Sequence, residues 1–285
     1  MITNALTVDV EDYFHVSAFA GRIDPADWDG YRLRVEDNTH RLLELFDGYN
    51  VRATFFVLGW VAERVPELIR QLAAAGHEVA CHGYSHQLVY NQDPATFRAE
   101  TMRSKALLED IIQAPVDGYR AASYSITQRS LWALDILAEA GFRYDSSIFP
   151  IRHDRYGMPD APRHPYRLTT PAGHELTEFP LSTASLLGMR LPVAGGGYFR
   201  IFPYALTRYG LAQINRANRP FIFYLHPWEI DPSQPQVQAS RLSRFRHYHN
   251  LAKCESRLRR LLEDFRFGTV ADVLGELALY PARTG

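Results

Sequence analysis

Short apolar runs alternate along this chain with longer stretches in which apolar residues recur every three or four positions. Residues 6–10, 52–58, 78–81, 116–120, 142–144 and 221–225 are compact runs built around Val, Ile, Phe and Tyr, and their length predicts buried strands. Helix-sized spacers lie between them. Asp37 and Asn38 are expected to cap a helix carrying Leu42, Leu43, Leu45 and Phe46 on one side. Pro66 opens and Gly76 closes a second helix whose apolar face holds Leu68, Ile69 and Leu72. Asp93 and Pro94 begin a long helix reaching about Gln113, and Thr127 is placed to cap another that ends at Gly141. Residues 150–200, rich in Pro, Gly, His and Tyr, read as an elaborated loop region with short extended pieces such as 178–181. Helices are expected again over 203–217, over an arginine-rich stretch at 251–265, and from about Val270. This alternation is the pattern of parallel strands joined by crossover helices. The fold class is therefore α/β, a barrel or strongly curved sheet of (β/α) units.

Such folds gather their chemistry at the carboxyl ends of the strands. Asp9, His82, Arg120, Asp145 and His226 each stand at the end of a different predicted strand. His82 and His86 lie four positions apart in a segment rich in turn residues. Two neutral imidazoles at that spacing can reach one Zn²⁺ at about 2.0–2.1 Å, and an acidic third ligand would leave a coordination position open. The acids Asp9, Glu11 and Asp12 supply both that ligand and a base to take a proton from water. His226 can protonate a leaving group if a carboxylate keeps it cationic, and Asp145 is the candidate carboxylate. Together these are the parts of a metal-assisted hydrolase.

Composition narrows the partners. The 285 residues are 46% hydrophobic and 22% charged, enough to bury a substantial core, and a net charge of −1 gives no reason to expect nucleic acid. The first ten residues lack a basic region followed by a long apolar core, so no secretory signal is expected, and no apolar run approaches a membrane span. Cys81 and Cys254, the two cysteines, form no paired motif and fit free thiols in a reducing cytoplasm.

Several ordered motifs resemble one family, the NodB-homology polysaccharide deacetylases of carbohydrate esterase family 4, over roughly residues 5–228. Thr7, Val8, Asp9, Val10, Glu11 and Asp12 resemble its first motif, in which the first Asp is the base and a following acid binds metal. The segment 82–86 matches the second, which supplies the two metal imidazoles. Gly118, Tyr119, Arg120, Ala121 and Ala122 resemble the third, whose Arg orients the base and whose next backbone amides hold the oxyanion. Tyr144, Asp145, Ser146 and Ser147 resemble the fourth, and Tyr224, Leu225 and His226 the fifth, which supplies the general acid. The opening Asp-Val-Glu-Asp-Tyr-Phe and the Arg-His-Tyr at 246–248 are most similar to the subfamily found with exopolysaccharide and PEP-CTERM export loci. The resemblance implies a distorted (β/α)7 barrel over 1–228, with a loop insertion at about 150–200 and a helical extension at 229–285. Two positions depart from the family pattern. The usual adjacent Asp-Asp is replaced, so the acidic ligand is Glu11, which shares the strand face of Asp9, or Asp12, if a bulge brings it in. Ala122 stands where the family has proline, which leaves the oxyanion loop less rigid.

The expected activity is removal of acetyl groups from N-acetylated amino sugars of a polysaccharide, or of its lipid-linked precursor, in exopolysaccharide synthesis. One divalent metal is implied, with Zn²⁺ favoured and Co²⁺ or Ni²⁺ compatible with the ligands. Ser123, Tyr124, Trp228, Arg246 and His247 are expected against the substrate. Between 241 and 260 seven basic residues face one acid, Glu255. Most of these form a solvated face, and Arg244, Arg246 and His247 are candidates to meet an anionic group such as the diphosphate of a lipid-linked sugar. The partner is then a glycan or lipid-linked oligosaccharide, with peripheral association with the export machinery. Hydrolysis of a non-sugar C–N bond, and a glycan-binding scaffold with a degenerate site, remain the alternatives.

Overall fold

In the computed structural model, which describes residues 2–153, 155–186 and 188–280, the strands are β1 (Thr3–Val10), β2 (Thr54–Val57), β3 (Glu78–Cys81), β4 (Gly118–Tyr119), β5 (Tyr144–Asp145), β6 (Tyr166–Thr169), β7 (Glu175–Glu178), β8 (Thr183–Leu186), β9 (Met189–Pro192), β10 (Ile222–Leu225) and β11 (Arg266–Gly268). Every residue of β1 is buried, as expected of a parallel strand covered on both faces. The main sheet runs β10-β1-β2-β3-β4-β5-β7-β6, and its ladders are parallel except the last, between β6 and β7. β11 pairs with Thr3 to Ala5, alongside the part of β1 that precedes the β2 ladder.

Alternation along the strands divides the interior in two. Leu6, Val8 and Val10 of β1, Phe55 and Val57 of β2, Val79 and Cys81 of β3, and Phe223 and Leu225 of β10 share one core with the surrounding helices. Ala5, Phe56, Ala80, Tyr144, Ile222 and Tyr224 form a second, on the concave face of the sheet. A (β/α) barrel-type arrangement results, but the barrel is not closed, because among the described residues no ladder joins β6 to β10. That gap is partly spanned by 194–195: the Tyr224 amide donates to the Ala194 carbonyl at 2.7 Å, and Gly195 bridges Tyr224 in parallel.

The α-helices among the described residues are α1 (Val35–Gly48), α2 (Gly59–Arg64), α3 (Pro66–Ala74), α4 (Pro94–Ile112), α5 (Trp132–Glu139), α6 (Gly196–Ile201), α7 (Tyr204–Arg216), α8 (Arg241–Tyr248), α9 (Leu251–Asp264) and α10 (Val270–Glu276). The Asp93 side chain caps α4 as its sequence predicts, accepting from the Ala95 and Thr96 amides. Asp37 and Asn38 do not cap α1. The helix starts at Val35, and its first amides are met from a distance by Asp12, which accepts from Arg34 and Val35 at 2.6 and 2.9 Å. Thr127 lies in a turn closed by its carbonyl and the Ser130 amide, and α5 begins at Trp132. Residues 150–200 are more ordered than a loop, holding the hairpins β6–β7 and β8–β9 and the start of α6. The polar stretch after 229 contains α8.

Gly195 sits at φ +127°, where a Cβ would lie 1.9 Å from the Tyr224 carbonyl oxygen. Neither the backbone conformation nor the space admits a side chain. Gly195→Ala is expected to cost about 3 kcal/mol or more, read as a lowered urea midpoint at unchanged slope; a midpoint equal to wild type would show that this contact does not support β10.

Candidate active site

The two-residue period of the strands decides which strand-end residues meet. Asp9 continues the face of Ala5, His82 that of Ala80, and His226 that of Ile222 and Tyr224, so all three turn to the concave side. Arg120 follows Gly118, beneath which the Tyr144 ring leaves no room for a Cβ, and it enters the same space. The Arg120 guanidinium is fully buried and lies 4.0 Å from the Phe56 ring centre. It donates to Asp9 Oδ1 at 2.6 Å, to Thr7 Oγ1 at 2.8 Å, and to Ser146 Oγ and O at 3.1 and 3.2 Å. With its donors engaged, it has one orientation, and so does Asp9.

Glu11, His82 and His86 each offer a ligand atom within 4.8 Å of the others. Their chemistry fits a divalent cation. His82 Nδ1 lies 2.7 Å from the Arg120 carbonyl, to which it donates, leaving Nε2 as the free lone pair. Burial foremost lowers the His82 pKa to about 4, keeping it neutral as a ligand must be. Glu11 Oε2 is buried without a hydrogen bond although it lies 2.7 Å from His86 Nε2. Burial opposes ionisation of Glu11, but His86 and His226 outweigh it and hold the carboxyl far below the usual range. Asp12 is not part of this group. Its oxygens accept from the amides of Tyr13, Arg34 and Val35, so it joins the loop after β1 to the start of α1.

His226 faces the cluster, its Nε2 at 3.4 Å from Glu11 Oε1 and 4.0 Å from Asp9 Oδ2. Its other nitrogen is 2.7 Å from Glu229 Oε1, and Glu229 Oε2 in turn holds Arg200 Nε at 2.6 Å. Burial disfavours the imidazolium, yet Glu11, Glu229 and Asp9 together raise its pKa to about 9. Burial likewise opposes the Glu229 charge, which Arg200 and His226 restore, lowering its pKa to about 2. Glu229 therefore fills the role expected of Asp145. The sequence His226-Pro227-Trp228-Glu229 carries a signal for it, since proline starts a single turn that returns Glu229 to the His226 amide at 3.1 Å. Arg200, at the end of α6, has no such local signal.

Asp145 stands elsewhere because it follows Tyr144, whose ring is on the concave face, and so falls on the opposite face. There it is in register with Glu178 and hydrogen-bonded to Ser147. Among the substrate candidates, Ser123, Tyr124, Trp228, Arg246 and His247 line one cavity of about 180 Å³ with Asp9, Glu11, His82, His86 and His226. Ser123 and Tyr124 both take left-handed φ values, 51° and 55°, and Ser123 Oγ lies 2.6 Å from Ser17 Oγ of the loop after β1. The Trp228 ring stacks between His226 and His247, with centroids at 4.9 and 4.3 Å. His247 is not a cation for the substrate, because burial foremost lowers its pKa to about 3. Arg244 is bonded to Gln236 and lies outside this cavity.

Residues 28–144 match the family model for polysaccharide deacetylases, and residues 146–275 match one for a domain of unknown function, DUF3473. Two curated relatives are a peptidoglycan deacetylase of Helicobacter pylori, 30% identical over 47% of this chain and 44% of that protein, and a chitooligosaccharide deacetylase of Bradyrhizobium, 32% identical over 35% and 43%. This chain thus spans less than half the length of either. A Mycobacterium smegmatis protein assigned as a polysaccharide deacetylase superposes with a TM-score of 0.62 at 25% identity, covering 100% of this chain and 93% of its own. An allantoinase at 16% identity has the same fold, with a TM-score of 0.60 over 98% and 91% of the two chains. Residues 28–144 are thus similar to polysaccharide deacetylases, and the whole chain shares the fold of these solved structures.

The neighbouring acids Glu11 and Asp12 are expected to separate cleanly. Asp12→Ala should lower stability by about 2–3 kcal/mol, from the loss of a carboxylate that meets three backbone amides, two of them buried, while the folded fraction keeps its capacity for a divalent metal. Glu11→Gln should lose that capacity with little change in the urea midpoint. Metal analysis beside urea unfolding checks both, and loss of metal by Asp12→Ala would reverse the assignment.

The Asp145–Glu178 pair makes a pH prediction. Burial first, and then the partner's charge, pushes Glu178 well above the usual carboxylate range, and burial raises Asp145 to about 6. The folded state therefore retains protons that the unfolded chain releases near pH 4. Stability from this source is complete below about pH 4 and is lost as pH rises through about 6. Glu178→Gln, which can still accept from the Ile148 amide and donate to Asp145, should gain stability over wild type more at pH 8 than at pH 5 in paired urea titrations. An equal separation at both pH values would count against a shared proton.

Proposed function

We propose that this protein is a metal-dependent hydrolase that removes acetyl groups from N-acetylated amino sugars. The observation that carries the reading is the facing pair Asp9 and His226, the first held by Arg120 and the second by Glu229, on either side of the Glu11–His82–His86 group. Glu11, His82 and His86 would hold a divalent ion, Zn²⁺ by availability, with Co²⁺ and Ni²⁺ suited to the same donors. When bound, that ion supplies Lewis acidity toward water and toward the acetamide carbonyl.

The chain's own groups divide the remaining work. Asp9, kept in place by Arg120, accepts the proton of the attacking water. The amides of Tyr124 and Ser125 are spent inside their turn, which leaves the Ser123 amide as the donor proposed for the developing oxyanion. His226, carrying a proton on Nε2 at neutral pH, delivers it to the departing amine nitrogen. Glu229 accepts from Nδ1 and so fixes the ring and its tautomer, and Arg200 keeps Glu229 ionised in a buried setting. Tyr124, Tyr224 and Trp228 supply aromatic walls of a kind suited to a sugar ring.

Within that reading we place the activity in exopolysaccharide synthesis, on the polymer or its lipid-linked precursor, in the cytoplasm and alongside the export machinery. The similarity of 9–14 and 246–248 to the export-locus subfamily supports this, as do two buried free cysteines. No helix among the described residues is long and apolar enough to cross a membrane.

Metal content and acetate release from N-acetylglucosamine oligomers test the proposal in the same samples. Wild type should bind one divalent ion and release acetate. Asp9→Asn should keep the ion and lose about 10²–10⁴-fold in kcat, the usual scale of a positioned base, and His82→Ala should lose both. An ion-loaded wild type that hydrolyses another amide and releases no acetate would replace the acetylated sugar with a different C–N substrate.

A further inference from the structure

The outer wall of the cavity carries a cation that the proposed chemistry leaves unused. Arg246, on α8, lines the cavity beside Tyr156 and Gly197. Among the described residues its guanidinium has no hydrogen-bond or ion-pair partner, and only its backbone carbonyl is engaged, by Arg200 Nη2 at 3.0 Å. The other arginines at this end are committed. Arg120 holds Asp9, and Arg200 holds Glu229 and the carbonyls of Arg246, His247 and His249.

One phenol, Tyr156, lines the cavity with Arg246, and a second, Tyr198, stands beside the first. The Tyr156 hydroxyl lies 3.4 Å from that of Tyr198, and Arg246 is near enough to Tyr156 to act on its ionisation. Burial, with Tyr224 and Tyr198 next to it, outweighs that influence and keeps Tyr156 protonated, a donor at neutral pH. The cavity is therefore polarised. Its inner end holds the carboxylates of Asp9 and Glu11, and its outer rim holds a guanidinium that is unpaired among the described residues, with hydroxyl donors.

We propose that Arg246, Tyr156 and Tyr198 form an anion-binding rim that receives a carboxylate or phosphate carried by the same glycan whose acetamide lies at the inner end. The inference rests on the deacetylase reading and adds to it that the substrate is anionic. A guanidinium matches the planar oxygens of either group, and opposite charges at the two ends orient the substrate with its anion outward. The structure narrows the basic stretch to one residue. Arg244 lies against Gln236 in a separate surface groove with Arg241, Phe245 and Tyr248, and His247 is buried and neutral.

The test compares kcat/KM of wild type and Arg246→Gln on three substrates matched in length: neutral N-acetylglucosamine oligomers, oligomers with a terminal phosphate, and oligomers with a carboxylate on the neighbouring sugar. Titration calorimetry with N-acetylglucosamine and N-acetylglucosamine 1-phosphate accompanies it. Wild type should favour an anionic substrate by about tenfold, the scale of one partly exposed charge-assisted contact, and Arg246→Gln should reduce that ratio to within about twofold of one. The favoured anion identifies the source. No preference in wild type, or a preference that survives Arg246→Gln, overturns the inference. If wild type turns over none of the three, the deacetylase reading fails and calorimetry decides the rim by itself. Tighter binding of the 1-phosphate that is lost in Arg246→Gln supports it, and equal binding of the two sugars by wild type overturns it.

Discussion

A guanidinium with no exposure to solvent sits at the centre of this fold. Arg120 is tolerable there because every side of it is answered: Asp9 and Thr7 from β1, Ser146 just past β5, and the Phe56 ring beneath. Removing a partner from such a pair leaves a buried charge uncompensated, a loss of about 3–5 kcal/mol in comparable cases. The same bonds draw the ends of β1 and β4 and the residues after β5 to one point. Its carbonyl also accepts from His82, so one residue orients both Asp9 and a metal-ligand candidate. Stability and chemistry thus share the same contacts.

Around that point the chain divides its labour. Asp9, the ligand candidates and Arg120 come from the first 145 residues. His226, with Glu229 and Arg200 behind it, and the outer wall with Tyr156 and Arg246, come from the segment that matches the second family model. The two segments meet because β10 pairs with β1, which brings His226 level with Asp9 and Glu11. β11 adds to the opposite edge of β1. The first 145 residues and the second matched segment therefore share a sheet and a cavity.

The carboxylates show how much the surroundings decide. Asp9 lies against a guanidinium, Glu11 against imidazoles, and Asp12 against three backbone amides, within four consecutive residues. Asp145 and Glu178, side by side in register, keep protons because burial and mutual repulsion disfavour two charges. Glu229 is as deeply buried yet ionised, since Arg200 and His226 flank it. Six acids of similar intrinsic acidity divide into a candidate base, a candidate ligand, a cap, a proton-sharing pair and a histidine partner.

Periodicity and strand ends were legible in the residues alone. Runs of buried strand type separated by helical spacers lead to an α/β parallel sheet, and a period of two puts Asp9 and Glu11 on one side of β1 without any coordinates. The turn His226-Pro227-Trp228-Glu229 was equally local, although its pattern marks a cap before it marks a catalytic partner. What the sequence could not decide depends on distance through space. Whether Asp145 or Glu229 meets His226 follows from which face Tyr144 takes, and whether Asp12 binds metal or caps α1 depends on amides 22 and 23 residues away. Arg200 and Arg246 look alike in a chain with many arginines. Only the packing of α6 and α8 shows that one is consumed by Glu229 and three carbonyls while the other has no partner among the described residues, because a charge takes its role from its nearest partners and those come from distant parts of the chain.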